Sequence, residues 1–183
     1  MKSILLVIIT VLLCSLLVKA QINNNNSRRI NLNITNMKME IPASLEAEHK
    51  DLHEALAKYT RLPGKTGTAA KKVAELLHPH FIKEEAYAIP PLGLLSEIAK
   101  GQTISNRNEV IVMTDKLKND FPEMVSEHKQ IVGALKQLNE AAKSEKHPEV
   151  LHFTESLELH AKTEEEVLYP AAILVGEYLK LKS

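Results

Sequence analysis

Two stretches of the sequence place a histidine four residues before a glutamate. His80 precedes Glu84 and His160 precedes Glu164; each of these glutamates is followed by another, Glu85 and Glu165, and each stretch closes on a proline, Pro90 and Pro170. In a helix a four-residue step is about 400° of rotation, so imidazole and carboxylate stand one above the other on a single face. Upstream of each stretch lies a matching triplet, Glu48-His49-Lys50 and Glu127-His128-Lys129, followed by Ala55-Leu56 and Ala134-Leu135. The chain therefore reads as an internal repeat of helix pairs, each offering one histidine from its first helix and a His-x3-Glu from its second. Imidazole with carboxylate suits iron, manganese or zinc, whereas Cu(I) prefers sulfur and calcium prefers oxygen alone. Two related carboxylates can bridge a pair of ions, so a dinuclear site is the natural expectation, with iron the first choice and His49, His80, Glu84, His128, His160 and Glu164 as candidate ligands.

The surrounding residues place these groups inside. Val150, Phe153, Leu157, Ala161, Val167, Leu168, Ala171 and Val175 mark an apolar stripe that includes His160 and Glu164, and Val73, Leu76, Leu77, Phe81 and Ala88 do the same around His80 and Glu84. Burying an ionised carboxylate costs several kcal/mol unless a cation or donors compensate. A bound metal, a buried ion pair and a helix less buried than its pattern all remain open on these grounds. A lone histidine on an apolar face is usually a core residue with a hydrogen-bond partner, and an i,i+4 His-Glu pair at a surface is worth only about 0.5 kcal/mol. Neither reading explains four histidines and two glutamates on apolar stripes. Glu85, Glu165 and Glu166 are expected at a solvated rim, with an adjacent carboxylate as an alternative ligand. His53, one turn after His49, is a candidate further imidazole whose counterpart in the second half is Val132. His78, His147 and His152 are expected at the surface or in turns.

The elements that must hold these residues are helices. The first is expected to start near Ser44 as its cap and to end at Arg61-Leu62-Pro63-Gly64; the second covers about 68–89 and stops at Pro90-Pro91. A short helix over 92–100 connects to a long third helix over about 106–142, kinked or split at Pro122, and the fourth runs to about residue 180 with a kink at Pro170. No segment alternates as a strand does. The expected fold is all-α, an antiparallel four-helix bundle over residues 41–183.

The balance of 23 basic and 23 acidic residues, with 4% aromatic residues and no Trp, leaves neither a basic stripe nor a stacking platform, so no nucleic-acid partner is expected. Residues 1–20 have the form of a signal peptide: Lys2, an apolar run from Ile4 to Val18, then Val18-Lys19-Ala20. That run is short for a membrane span, so cleavage after Ala20 and an exported, periplasmic or secreted, product without a stable membrane anchor are expected. The single cysteine, Cys14, falls in this segment, which leaves the mature chain no thiolate to offer a metal. Residues 21–40, with Asn at 23, 24, 25, 26, 31, 33 and 36, read as a flexible tether.

Taken in order, Glu48-His49, His80-x3-Glu84-Glu85 before Pro90, Glu127-His128, and His160-x3-Glu164-Glu165 with Val167-Leu168-Tyr169-Pro170 resemble the hemerythrin-like, or HHE cation-binding, domain family over about residues 41–180. The resemblance implies a four-helix bundle around a non-haem di-iron centre, with His49, His80, His128 and His160 as terminal ligands and Glu84 and Glu164 as bridges. Oxygen-carrying members use five histidines, two of them in a His-x3-His step; here the third helix offers only His128, which implies an open or water-filled position unless His53 replaces the missing imidazole. The expected function is binding or sensing of dioxygen or another small oxidant or diatomic ligand through two non-haem iron ions. Two alternatives are a di-iron oxidase or peroxidase, with Tyr87 or Tyr169 as an electron relay, and a zinc-bound or metal-free helical interaction module.

Overall fold

A computed structural model describes residues 39–182. The expected signal peptide and all but the last two residues of the expected tether lie outside them. Among the described residues six α-helices occur in order: α1 Ala43–Tyr59, α2 Gly64–Lys83, α3 Leu95–Ala99, α4 Arg107–Glu145, α5 Pro148–Thr163 and α6 Tyr169–Leu181. A π-helical turn, Glu84–Ala88, extends α2; another, Glu164–Leu168, joins α5 to α6, and a 3-10 turn, Pro90–Leu94, leads into α3. The bundle is thus all-α and four-membered: α1, α2, α4, and the composite α5–α6.

Its buried apolar side chains include two separate clusters. In one, Leu52, Leu56, Leu77, Phe81, Ile131, Leu135, Leu138, Phe153 and Leu157 interlock, drawing on all four members. In the other, Ile104, Val110, Val175 and Leu179 form a smaller cluster, against which Met39 packs. Residues 39 and 40 therefore lie on the bundle: Glu40 presents its carbonyl so close to Gly93 that a Cβ there would sit 2.3 Å from it.

Several boundaries differ from the sequence reading for identifiable reasons. Helix α1 begins one residue earlier than Ser44, and the Pro42 carbonyl accepts from Leu45 N and Glu46 N at 2.8 and 3.1 Å, with no side-chain cap. Helix α2 begins at Gly64 because Glu145 caps it from the end of α4: its carboxylate accepts from Lys65 N (2.8 Å), Thr66 N (2.9 Å) and the Thr66 hydroxyl (2.6 Å). Gly64 takes φ +76°, a left-handed conformation suited to glycine. Helix α4 runs as one piece through Pro122 and ends at Lys146, also left-handed, where His147 N donates to Ala142 O.

The two π-turns occupy matching places in the repeat. Ile89 N donates to Glu84 O at 3.0 Å, and Tyr169 N donates to Glu164 O, both five residues back. Each donor stands directly before a proline, Pro90 or Pro170, which has no N–H to hold the next turn in α register. One residue is thereby added to the turn, and the face beyond it rotates. Val167, expected on the apolar stripe, is 55% exposed, while Tyr169, Ala172, Val175 and Leu179 point inward.

Candidate metal centre

The bundle brings all six predicted residues together. His49 comes from α1, His80 from the end of α2 and Glu84 from the π-turn next to it, His128 from α4, His160 from α5, and Glu164 from the second π-turn. None is more than 4% exposed; Glu84 is 0% and Glu164 1%. They fall into two groups whose donor atoms are mutually close: His49, His160, Glu84 and Glu164, and His80, His128, Glu84 and Glu164.

Both carboxylates belong to both groups, and each divides its oxygens between them. Glu84 Oε1 lies 3.0 Å from His80 Nε2 and 3.9 Å from His128 Nε2, while its Oε2 lies 3.8 Å from His49 Nε2. Glu164 Oε2 lies 3.4 Å from His128 Nε2, while its Oε1 lies 3.1 Å from His160 Nε2 and 3.7 Å from His49 Nε2. This is the disposition of two carboxylates bridging a pair of cations. His49 Nε2, His160 Nε2, Glu84 Oε2 and Glu164 Oε2 are buried without a hydrogen-bond partner. Buried polar atoms left so are costly, and these converge on shared centres, which fits a bound cation. The two groups exchange under the internal repeat: His49 corresponds to His128 and His160 to His80, so each group draws one histidine from each half.

The outward nitrogen of every histidine meets a further carboxylate. His49 Nδ1 faces Glu85 at 3.3 Å, His80 Nδ1 faces Glu127 at 2.8 Å, His128 Nδ1 faces Glu165 at 2.9 Å, and His160 Nδ1 faces Glu48 at 3.1 Å. Each link crosses to the next member of the bundle, so the four close a ring from α1 through α2, α4 and α5 back to α1. A proton on Nδ1 directs the Nε2 lone pair at the centre. Glu85 and Glu165 are thus not simply a solvated rim, and Glu48 and Glu127 gain a role that sequence reasoning missed. The available signal was adjacency: every one of the four neighbours a candidate ligand in sequence. Glu166, by contrast, is exposed and pairs with Lys162.

In the metal-free bundle, burial pushes the histidine pKa values down, but the carboxylates outweigh it. His128 rises to about 10 because the Glu164 and Glu84 carboxylates lie close to its Nε2, and His160 to about 9 because Glu164 lies beside it. His49 and His80 also rise. For Glu164, burial opposes ionisation, yet the closeness of His128, His160 and His49 holds it well below the usual carboxylate range.

Tyr169 completes the pocket on the His128 side. Its hydroxyl donates to Glu84 Oε1 and lies 3.4 Å from His128 Nε2, and its ring stacks on His128 at 5.8 Å between centroids. Tyr87 instead donates to Asp120 at 2.9 Å. His53 stands outside both groups, half-buried against the edge of Phe81 at 4.8 Å and near His78 at 6.1 Å. His147 pairs with Glu149 in the turn before α5.

A sequence model of the Hemerythrin HHE cation binding domain matches residues 40–172. The chain belongs to this family. No curated protein and no solved structure matches it. The hemerythrin fold here carries two His/Glu groups consistent with a di-iron site. None of the described helices is long and apolar enough to cross a membrane.

Proposed function

We propose that this hemerythrin-family chain is an exported di-iron protein that binds or senses dioxygen or another small oxidant or diatomic ligand. One observation carries the reading: two buried carboxylates, each with one oxygen turned to each of two histidine pairs. His49 and His160 would hold one ion, His80 and His128 the other, and Glu84 and Glu164 would bridge them. Two non-haem irons supply one-electron and oxygen chemistry when bound. The chain's own residues fix the donor directions through the Glu48, Glu85, Glu127 and Glu165 links, exclude bulk water by burial, and present the Tyr169 hydroxyl as a donor beside Glu84 and His128. Export rests on the form of residues 1–20, and cell fractionation with the mass of the mature N-terminus tests it.

The test of the centre is metal content with an electronic spectrum on protein lacking residues 1–20, reconstituted anaerobically with ferrous iron. About two irons per chain, with a charge-transfer absorption that appears in air and is lost in His80→Ala, is the expected result; less than one tightly held iron, or no response to air, overturns it. A second reading, a di-iron oxidase or peroxidase, is favoured by the oxidisable Tyr169 phenol in contact with Glu84. Sustained consumption of peroxide over many turnovers would select it, and a spectrum that returns on removal of the ligand would select the binder.

A further inference from the structure

The repeat gives His49 and His128 corresponding surroundings that are filled differently. On the first half, Phe81 stacks on His49 with ring centroids 4.2 Å apart, and His53 abuts the edge of Phe81. The residues at the corresponding positions of the second half are Ala161 and Val132, and Gly133 stands where the first half has Glu54. Small side chains replace two rings there. The result is a cleft of 370 Å³ between α4 and α5, lined by Val132, Gly133 and Ala161 and reaching His128. A Cβ on Gly133 would meet nothing within 4 Å, so the cleft is open at that point.

Charge separates the two sides as well. Lys129, Lys136 and Lys162 line the α4/α5 cleft against Glu158 and Glu165, and Glu165 is turned to His128 Nδ1 at 2.9 Å. The corresponding cleft beside His49 carries Glu46, Glu54 and Glu85 against Lys50 alone. With Glu166 beside Lys162, three lysines balance three glutamates around the α4/α5 cleft, whereas the cleft beside His49 is net negative, and a net negative cleft with low-dielectric walls repels small anions.

We propose that the α4/α5 cleft is the docking site and way in for a small monoanion that approaches the centre from the His128 side. This rests on the di-metal reading above, and it names the ligand class and the face from which the ligand comes. Lys129 and Lys136 hold the anion at the mouth, and Gly133, Val132 and Ala161 leave it room beside His128.

The probe is azide, with neutral nitric oxide beside it, and the reading is the association rate on iron-loaded protein by stopped-flow. Gly133→Trp fills the cleft from an exposed helical position and is expected to slow azide at least tenfold. Lys129→Glu with Lys136→Glu is expected to slow azide by about tenfold at low ionic strength and little at high salt, leaving nitric oxide unchanged. Glu54→Trp, the corresponding change on the other side, is expected to alter neither probe. Two irons per chain in every variant, with azide rates unmoved by both cleft changes or slowed only by Glu54→Trp, would overturn the proposal. Wild-type protein that holds no iron, or binds neither probe, removes the underlying reading and this one with it.

Discussion

The Nε2 atoms of His80 and His128 lie 2.7 Å apart. Two ring nitrogens at that distance share a single proton or a single cation, because two N–H groups cannot point into the same gap. Ligands about 2.1 Å from one ion and at right angles to each other are separated by about 3 Å. The backbone thus already holds the two imidazoles close to the spacing a metal requires, with Glu84 and Glu164 beside them.

Metal uptake should therefore release protons. With His128 raised to about 10 and His160 to about 9, the metal-free protein holds imidazolium at neutral pH, and a cation needs those nitrogens neutral. Affinity should climb with pH and level off above about 10. Calorimetry in buffers of differing ionisation enthalpy should count more than one proton released per chain at pH 7 and almost none above pH 10. The same shifts give the metal-free fold a pH dependence. Raised folded values contribute stability that is fully present below the ordinary histidine value and lost as pH rises through about 9 to 10.

The carboxylate ring predicts selective loss. Glu127→Ala removes the partner of His80 Nδ1, and Glu85→Ala that of His49 Nδ1. Each should weaken one ion by about 10- to 100-fold. Chelator competition should become biphasic in either variant, with the two single changes affecting different ions. Uniform weakening of both ions would mean that the ring acts on the bundle and not on individual histidines.

Tyr169→Phe keeps the ring that stacks on His128 and deletes the donor to Glu84. Loss of a buried hydrogen bond to a charged acceptor should cost about 1–3 kcal/mol in the metal-free protein. Urea denaturation with an unchanged slope checks this, and a variant as stable as wild type would show that Glu84 is satisfied by His80 alone.

Glu145 couples the ends of α2 and α4. Its bonds from the Thr66 hydroxyl and from Lys65 N and Thr66 N hold its pKa down at about 2, against an ordinary 4.5. A depressed carboxylate contributes stability above the ordinary value and loses it as pH falls toward the folded one. The melting temperature of wild type should drop between about pH 4.5 and 2, and Glu145→Gln should melt lower at pH 7 and show a shallower drop.

The helices, their apolar faces and the six converging residues are set by the sequence alone, because an α-helix repeats every 3.6 residues and burial selects side chains on that period. The adjacency of Glu48, Glu85, Glu127 and Glu165 to those six is also visible there, but the atom each one bonds is not, since every partner lies on a different helix. Tertiary structure decided that each histidine pair spans both halves of the repeat, which places one oxygen of Glu84 and one of Glu164 in each group. It also decided the course of the chain after Glu164. Helical periodicity assigns Val167 and Leu168 to the inner face, but Pro170 frees one backbone hydrogen bond and the wider turn carries Tyr169 inward instead. The start of α2 at Gly64 likewise depends on Glu145, a residue some eighty positions away that meets Lys65 and Thr66 only when α4 packs beside α2.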